Sequence, residues 1–127
     1  MRSLSLSRIW LGAIGALCGA AGVAFSAVAA HAGGDGLATA AQFLLFHAPL
    51  FVALSLTRSP GGVNLAGWGL LVGLVLFSGD LLARHYMGDR LFPMAAPIGG
   101  FLMIAGWVGL AVMLLLARAN APPALND

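Results

Sequence analysis

Four apolar stretches, each close to the ~20 residues that carry a helix across ~30 Å of hydrocarbon, dictate the solvent in which this chain folds. They run roughly over residues 9–30, 38–56, 65–83 and 95–117, and nearly every charged side chain falls between them or near the chain ends. With 61% hydrophobic and 8% charged residues, 127 residues carry too little polar surface to solvate a globule. The expected class is an all-α membrane protein, a four-transmembrane-helix up-down-up-down bundle with short loops, forming one integral domain over residues 1–127.

The first stretch also resembles a secretory signal, with Arg2 and Arg8 ahead of it and small residues around Ala27 to Ala32. Its apolar part exceeds the ~7 to 15 residues of a signal core, so it is read as a retained helix. The single cysteine, Cys18, lies inside this stretch and reads as a small buried hydrophobe. Short connections carrying Gly33-Gly34-Asp35-Gly36 and Ser59-Pro60-Gly61-Gly62 make successive helices antiparallel neighbours. Pro97 reads as a first-turn proline or a kink, and residues 118–127, with Pro122-Pro123, as a frayed tail.

Six arginines and a net charge of +2 form no basic run, which argues against nucleic-acid binding. Their distribution instead orients the chain. Arg2, Arg8, Arg58 and Arg118 fall on one side and Arg84 and Arg90 on the other, so both termini are expected in the cytoplasm, with Trp10 and Trp68 near that interface.

In lipid, helices gain by close backbone approach rather than by expelling water, so small residues aligned at helical spacing mark packing seams. Gly12, Gly15, Gly19 and Gly22 form such a stripe on the first helix, Gly69 and Gly73 on the third, and Gly99, Gly106 and Gly109 on the fourth.

Ionisable groups at membrane depth are where chemistry is sought, because an isolated charge there costs at least ~2.5 kcal/mol. His47 lies near the middle of the second stretch and Asp80 near the exit of the third. Paired, they could relay a proton, with Ser78 and Gln42 as lesser candidates. Apart, His47 would bond a backbone carbonyl and Asp80 would reach Arg84 four residues on. Pro49 frees a carbonyl near Leu45 that His47 could use. No nucleophile elbow, phosphate loop or paired-carboxylate arrangement occurs, and no metal or cofactor is expected.

Three motifs then point to a family. Leu76-Phe77-Ser78-Gly79-Asp80-Leu81-Leu82, Ala96-Pro97-Ile98-Gly99-Gly100 and Ala105-Gly106-Trp107 resemble segments of the uncharacterised small membrane proteins that include bacterial YgdD and animal transmembrane protein 256, the domain of unknown function 423. Ala30-His31 and Phe46-His47 are similar to further segments of that family. Asp80 and Ala96 depart from its usual serine and threonine, and the loop after the first helix is shorter than is common. The resemblance implies a four-helix bacterial inner-membrane protein of unsettled activity.

Two functions of different class follow as expectations. One is a non-enzymatic packing or accessory subunit, set among membrane lipids and associating with another membrane protein or with itself as a homo-oligomer. The alternative is a small proton-linked transporter or channel using His47 and Asp80.

Overall fold

A computed structural model describes residues 5–123 and contains four helices: α1 (Leu6–Ala32), α2 (Asp35–Leu56), α3 (Gly61–Met87) and α4 (Ala95–Ala119). All four are long and apolar enough to cross a membrane. The boundaries reach beyond the apolar stretches at most ends, taking in Asp35, Asn64, Arg84 and His85. Helical backbone bonding continues into the interface, where polar side chains are solvated, so hydropathy marks the slab and not the helix. Of the expected frayed tail, Arg118 and Ala119 still belong to α4, and residues 124–127 lie outside the described residues. Arg2 lies outside them too.

Only Gly33 and Gly34 separate α1 from α2, and the reversal needs their φ of 75° and 112°, a region that a side chain disfavours. Pro97 is the third residue of α4, a first-turn proline whose missing N–H costs no helical bond.

Neighbouring helices run antiparallel. Gly12 faces Ser55 while Gly22 faces Leu45, and Phe43 stacks on Phe77 while Gly67 lies against Leu54. Likewise Gly62 faces Met113 while Gly73 lies against Gly99. The packing order is α1, α2, α3, α4, with α1 also touching α3. Helices α2 and α3 are therefore inner, and α1 and α4 are outer. Leu11, Phe51, Leu70 and Leu74 fill the centre with no exposed surface.

The glycine stripes divide by their use. On α1, a Cβ at Gly12, Gly15 or Gly22 would collide with Ser55, Phe51 or Leu45, and one at Gly19 would press on Ala48 at 3.2 Å. Between α3 and α4, a Cβ at Gly73 would stand 2.7 Å from the Gly99 carbonyl oxygen, and one at Gly99 would stand 2.5 Å from the Phe77 nitrogen. Gly106 admits Leu70 in the same way. Gly69 differs: nothing lies within 4 Å of its Cβ position, because its neighbour Leu70 is the residue turned into the seam. Gly109 meets only Ala66, at 3.9 Å.

At the end where α1 begins, Arg8 donates to the carbonyls of Thr57 (2.9 Å) and Ser59 (2.6 Å), clasping the α2–α3 connection. The Ser7 hydroxyl accepts from Asn64 (3.1 Å) and from the Trp68 indole (2.9 Å). Trp10 is largely exposed.

Overpacking a tight backbone contact typically costs about 1 to 3 kcal/mol. Gly73→Ala and Gly99→Ala are therefore expected to lower the thermal unfolding temperature in detergent, whereas Gly69→Ala and Gly100→Ala, which meet no neighbour, leave it unchanged.

Candidate functional site

The ionisable groups at membrane depth do not converge. His47 and Asp80 occur on the adjacent helices α2 and α3, but each is bonded to other partners. His47 is 6% exposed, held between Phe43 and Phe51 one turn to either side. Its Nδ1 lies 2.8 Å from the Phe43 carbonyl, and its Nε2 lies 3.2 Å from the Trp107 indole nitrogen on α4. A carbonyl can only accept and an indole N–H can only donate, so Nδ1 carries the proton and Nε2 is bare. Both ring nitrogens are thus bonded. The carbonyl it uses is that of Phe43, in place of the Leu45 carbonyl expected from Pro49.

Asp80 is fully buried although it lies only two turns from the end of α3. One carboxylate oxygen accepts from Arg84 at 2.5 Å, one turn along the helix. The other accepts from the Leu91 backbone N–H at 3.0 Å. That bond draws the α3–α4 connection back over the helix end, where the Leu91 side chain covers Gly79. Arg84 is 39% exposed, so the charge pair reaches solvent on one side while its carboxylate serves as the anchor of a loop.

Ser78 and Gln42 fall elsewhere. Ser78 is buried, and its hydroxyl oxygen has no hydrogen-bond partner among the described residues. It lines an apolar furrow of about 280 Å³ between α1 and α3, together with Cys18, Leu44 and Leu82. Gln42 is exposed on the outer face of α2. The four expected site residues are thus not one constellation, and no group of three or more His, Cys, Asp or Glu residues that could hold a metal occurs among the described residues.

The family motifs acquire physical roles here. Phe77 packs on Phe43 at a ring separation of 4.7 Å, Gly79 leaves room for Leu91, Gly99 and Gly106 bring α4 onto α3, and Trp107 satisfies His47. Pro97 opens α4 and Gly100 stays clear of any neighbour. Trp107 as partner of His47 went unnoticed in the sequence, although both lie twelve residues into helices that start from the same face. The Leu91 N–H left no signal at all, since a backbone donor has no residue signature.

Such a fold defines a four-helix integral membrane protein, and its relatives fix the family. Residues 11–100 match the family described as protein of unknown function (DUF423), and the chain belongs to it. It is 31% identical over 110 residues to a UPF0382 membrane protein of Staphylococcus haemolyticus, covering 78% of this chain and 89% of that protein. It is 37% identical over 75 residues to a UPF0382 membrane protein of Haemophilus influenzae, covering 58% and 60% of the two chains. With the UPF0382 membrane protein YwdK of Bacillus subtilis, identity is 33% over 78 residues, covering 58% and 63%. The Haemophilus and Bacillus matches span less than two thirds of those relatives' own length. No solved structure matches the chain.

Replacing Asp80 separates its two bonds. Asp80→Asn keeps an acceptor for the Leu91 N–H and is expected to leave that amide protected in hydrogen exchange, while Asp80→Ala exposes it and raises its exchange rate roughly tenfold, the equivalent of about 1.4 kcal/mol.

Proposed function

We propose that this protein is a non-enzymatic packing or accessory subunit of the bacterial inner membrane that docks a transmembrane helix of a partner on its outer surface. The observation that carries this reading is an unused groove between α3 and α4, holding about 260 Å³ and lined by Gly62, Ala66, Gly69, Ala105 and Gly109 among others. Small residues on two adjacent helices let a third backbone come close, which is the main source of helix association in lipid. A Cβ at Gly69 would meet no neighbouring helix within 4 Å, so this position leaves room for that approach.

Chemistry has little left to work with. Both nitrogens of His47 and both oxygens of Asp80 are already hydrogen-bonded to other partners within the fold, which speaks against a proton relay between the two. Arginine placement supports a cytoplasmic location for both termini: Arg8, Arg58 and Arg118 share one end, and at the other end Arg84 is already paired with Asp80.

Purification of the tagged full chain in mild detergent, followed by mass spectrometry, is expected to recover a stoichiometric membrane partner. Gly69→Leu fills the groove and should abolish that recovery without altering thermal stability. Undiminished recovery with Gly69→Leu, or a wild-type chain that purifies alone as a monomer, would refute the proposal.

A further inference from the structure

We propose that a second copy of this chain docks on the outer stripe of α2, in a two-fold dimer centred on hydrogen bonds between the two Gln42 carboxamides. The proposal rests on the reading of this protein as one that associates laterally in the bilayer, and it assigns one partner and one face.

Although α2 is an inner helix, Gln42, Phe46, Pro49, Ala53 and Leu56 are all exposed. Their spacing of four, three, four and three residues keeps them on a single line along the helix. That line is apolar throughout except at Gln42. Gln42 lies four residues inside the apolar stretch that begins at residue 38, roughly 6 Å at ~1.5 Å per residue. Its neighbour Phe43 stacks on Phe77, which lies three residues before the buried Asp80 on α3, so Gln42 is deeper than that anchor.

A carboxamide has two N–H donors and an acceptor oxygen, and hydrocarbon chains satisfy none of them. No side chain or carbonyl among the described residues bonds this one. An exposed, unbonded amide at this depth calls for a partner at the same depth.

A second copy supplies that partner without further requirements. The carboxamide both donates and accepts, so it is complementary to itself, and a two-fold axis along the membrane normal brings identical residues to identical depths. Shape agrees with chemistry. Phe46, 75% exposed, projects one turn from Gln42, and beside it a furrow of about 610 Å³ runs between α1 and α2 over Gly19, Ala48 and Ala53. Knob and hollow on one surface are what a self-complementary interface needs.

The full chain, labelled with donor and acceptor dyes and reconstituted into phospholipid vesicles, is expected to show energy transfer above the random level that falls on dilution with lipid. Gln42→Leu should shift the half-association density about 3- to 30-fold upward, the range expected for losing interhelical hydrogen bonds, whereas Gln42→Asn retains most of the association. In a Cys18→Ala background, Gln42→Cys should form a disulfide-linked dimer and Phe101→Cys on α4 should not. Because Gln42 is exposed, Gln42→Leu and Gln42→Asn are expected to fold with an unfolding temperature in detergent no lower than that of the wild type. Random-level transfer for the wild-type chain, or transfer insensitive to Gln42→Leu, would overturn the dimer. A partner still captured through the Gly69 groove in that event would leave the accessory role standing, and Gly69→Leu should not affect the dimer itself.

Discussion

Where α3 and α4 meet, there is no room for a single extra carbon: a Cβ on Gly99 would sit 2.5 Å from one backbone nitrogen and 2.7 Å from the Gly73 carbonyl oxygen. In lipid this closeness matters more than apolarity does, because the helix faces are no more hydrophobic than the acyl chains they displace. The adhesion is dispersion between dense backbones, gained only within a fraction of an ångström of contact. The α1–α2 pair uses the same device through Gly12, Gly15 and Gly22. The molecule is thus two glycine-zipped hairpins, and between α2 and α3 they meet through larger side chains, with Phe43 against Phe77 and Leu54 over Gly67.

Dispersion of this kind sets distance but tolerates sliding along the seam, and the polar groups supply register. They do so at three depths. Arg8 clasps the α2–α3 connection at one end, His47 reaches across to Trp107 in the middle, and Asp80 draws in Leu91 at the other. The middle bond joins α2 to α4, which no glycine seam joins, and there it replaces water that the bilayer does not provide.

The four helices, their order and their antiparallel pairing were legible in the sequence, because length and hydropathy translate directly into spans when the solvent is a slab of fixed thickness. The α1 stripe was legible for a similar reason: glycine at helical spacing has few other uses. Gly69 was not separable from Gly73, since which glycine enters a seam depends on where its large neighbour, here Leu70, is turned. The pair Asp80 and Arg84 follows from i to i+4 spacing alone. Of the two arrangements open for His47 and Asp80, the structure has them apart, His47 on a backbone carbonyl and Asp80 on Arg84; depth along a helix says nothing of facing direction, although for the two helices that start from one face it leads to Trp107.

Sorting the polar side chains by exposure divides folding from association. His47, Asp80 and Ser7 bond within the chain. Ser78 is unpartnered but buried, whereas Gln42 lies exposed on a helix otherwise committed to the core, and an unbonded amide in hydrocarbon is destabilising in a monomer until another polar group meets it. The outer helices offer the contrast: their exposed residues, such as Leu17, Phe101, Ile104 and Leu115, are as content against lipid as against protein. Association through α2 would satisfy a group that lipid leaves unpaired, whereas docking in the small-residue groove between α3 and α4 gains by close backbone approach alone.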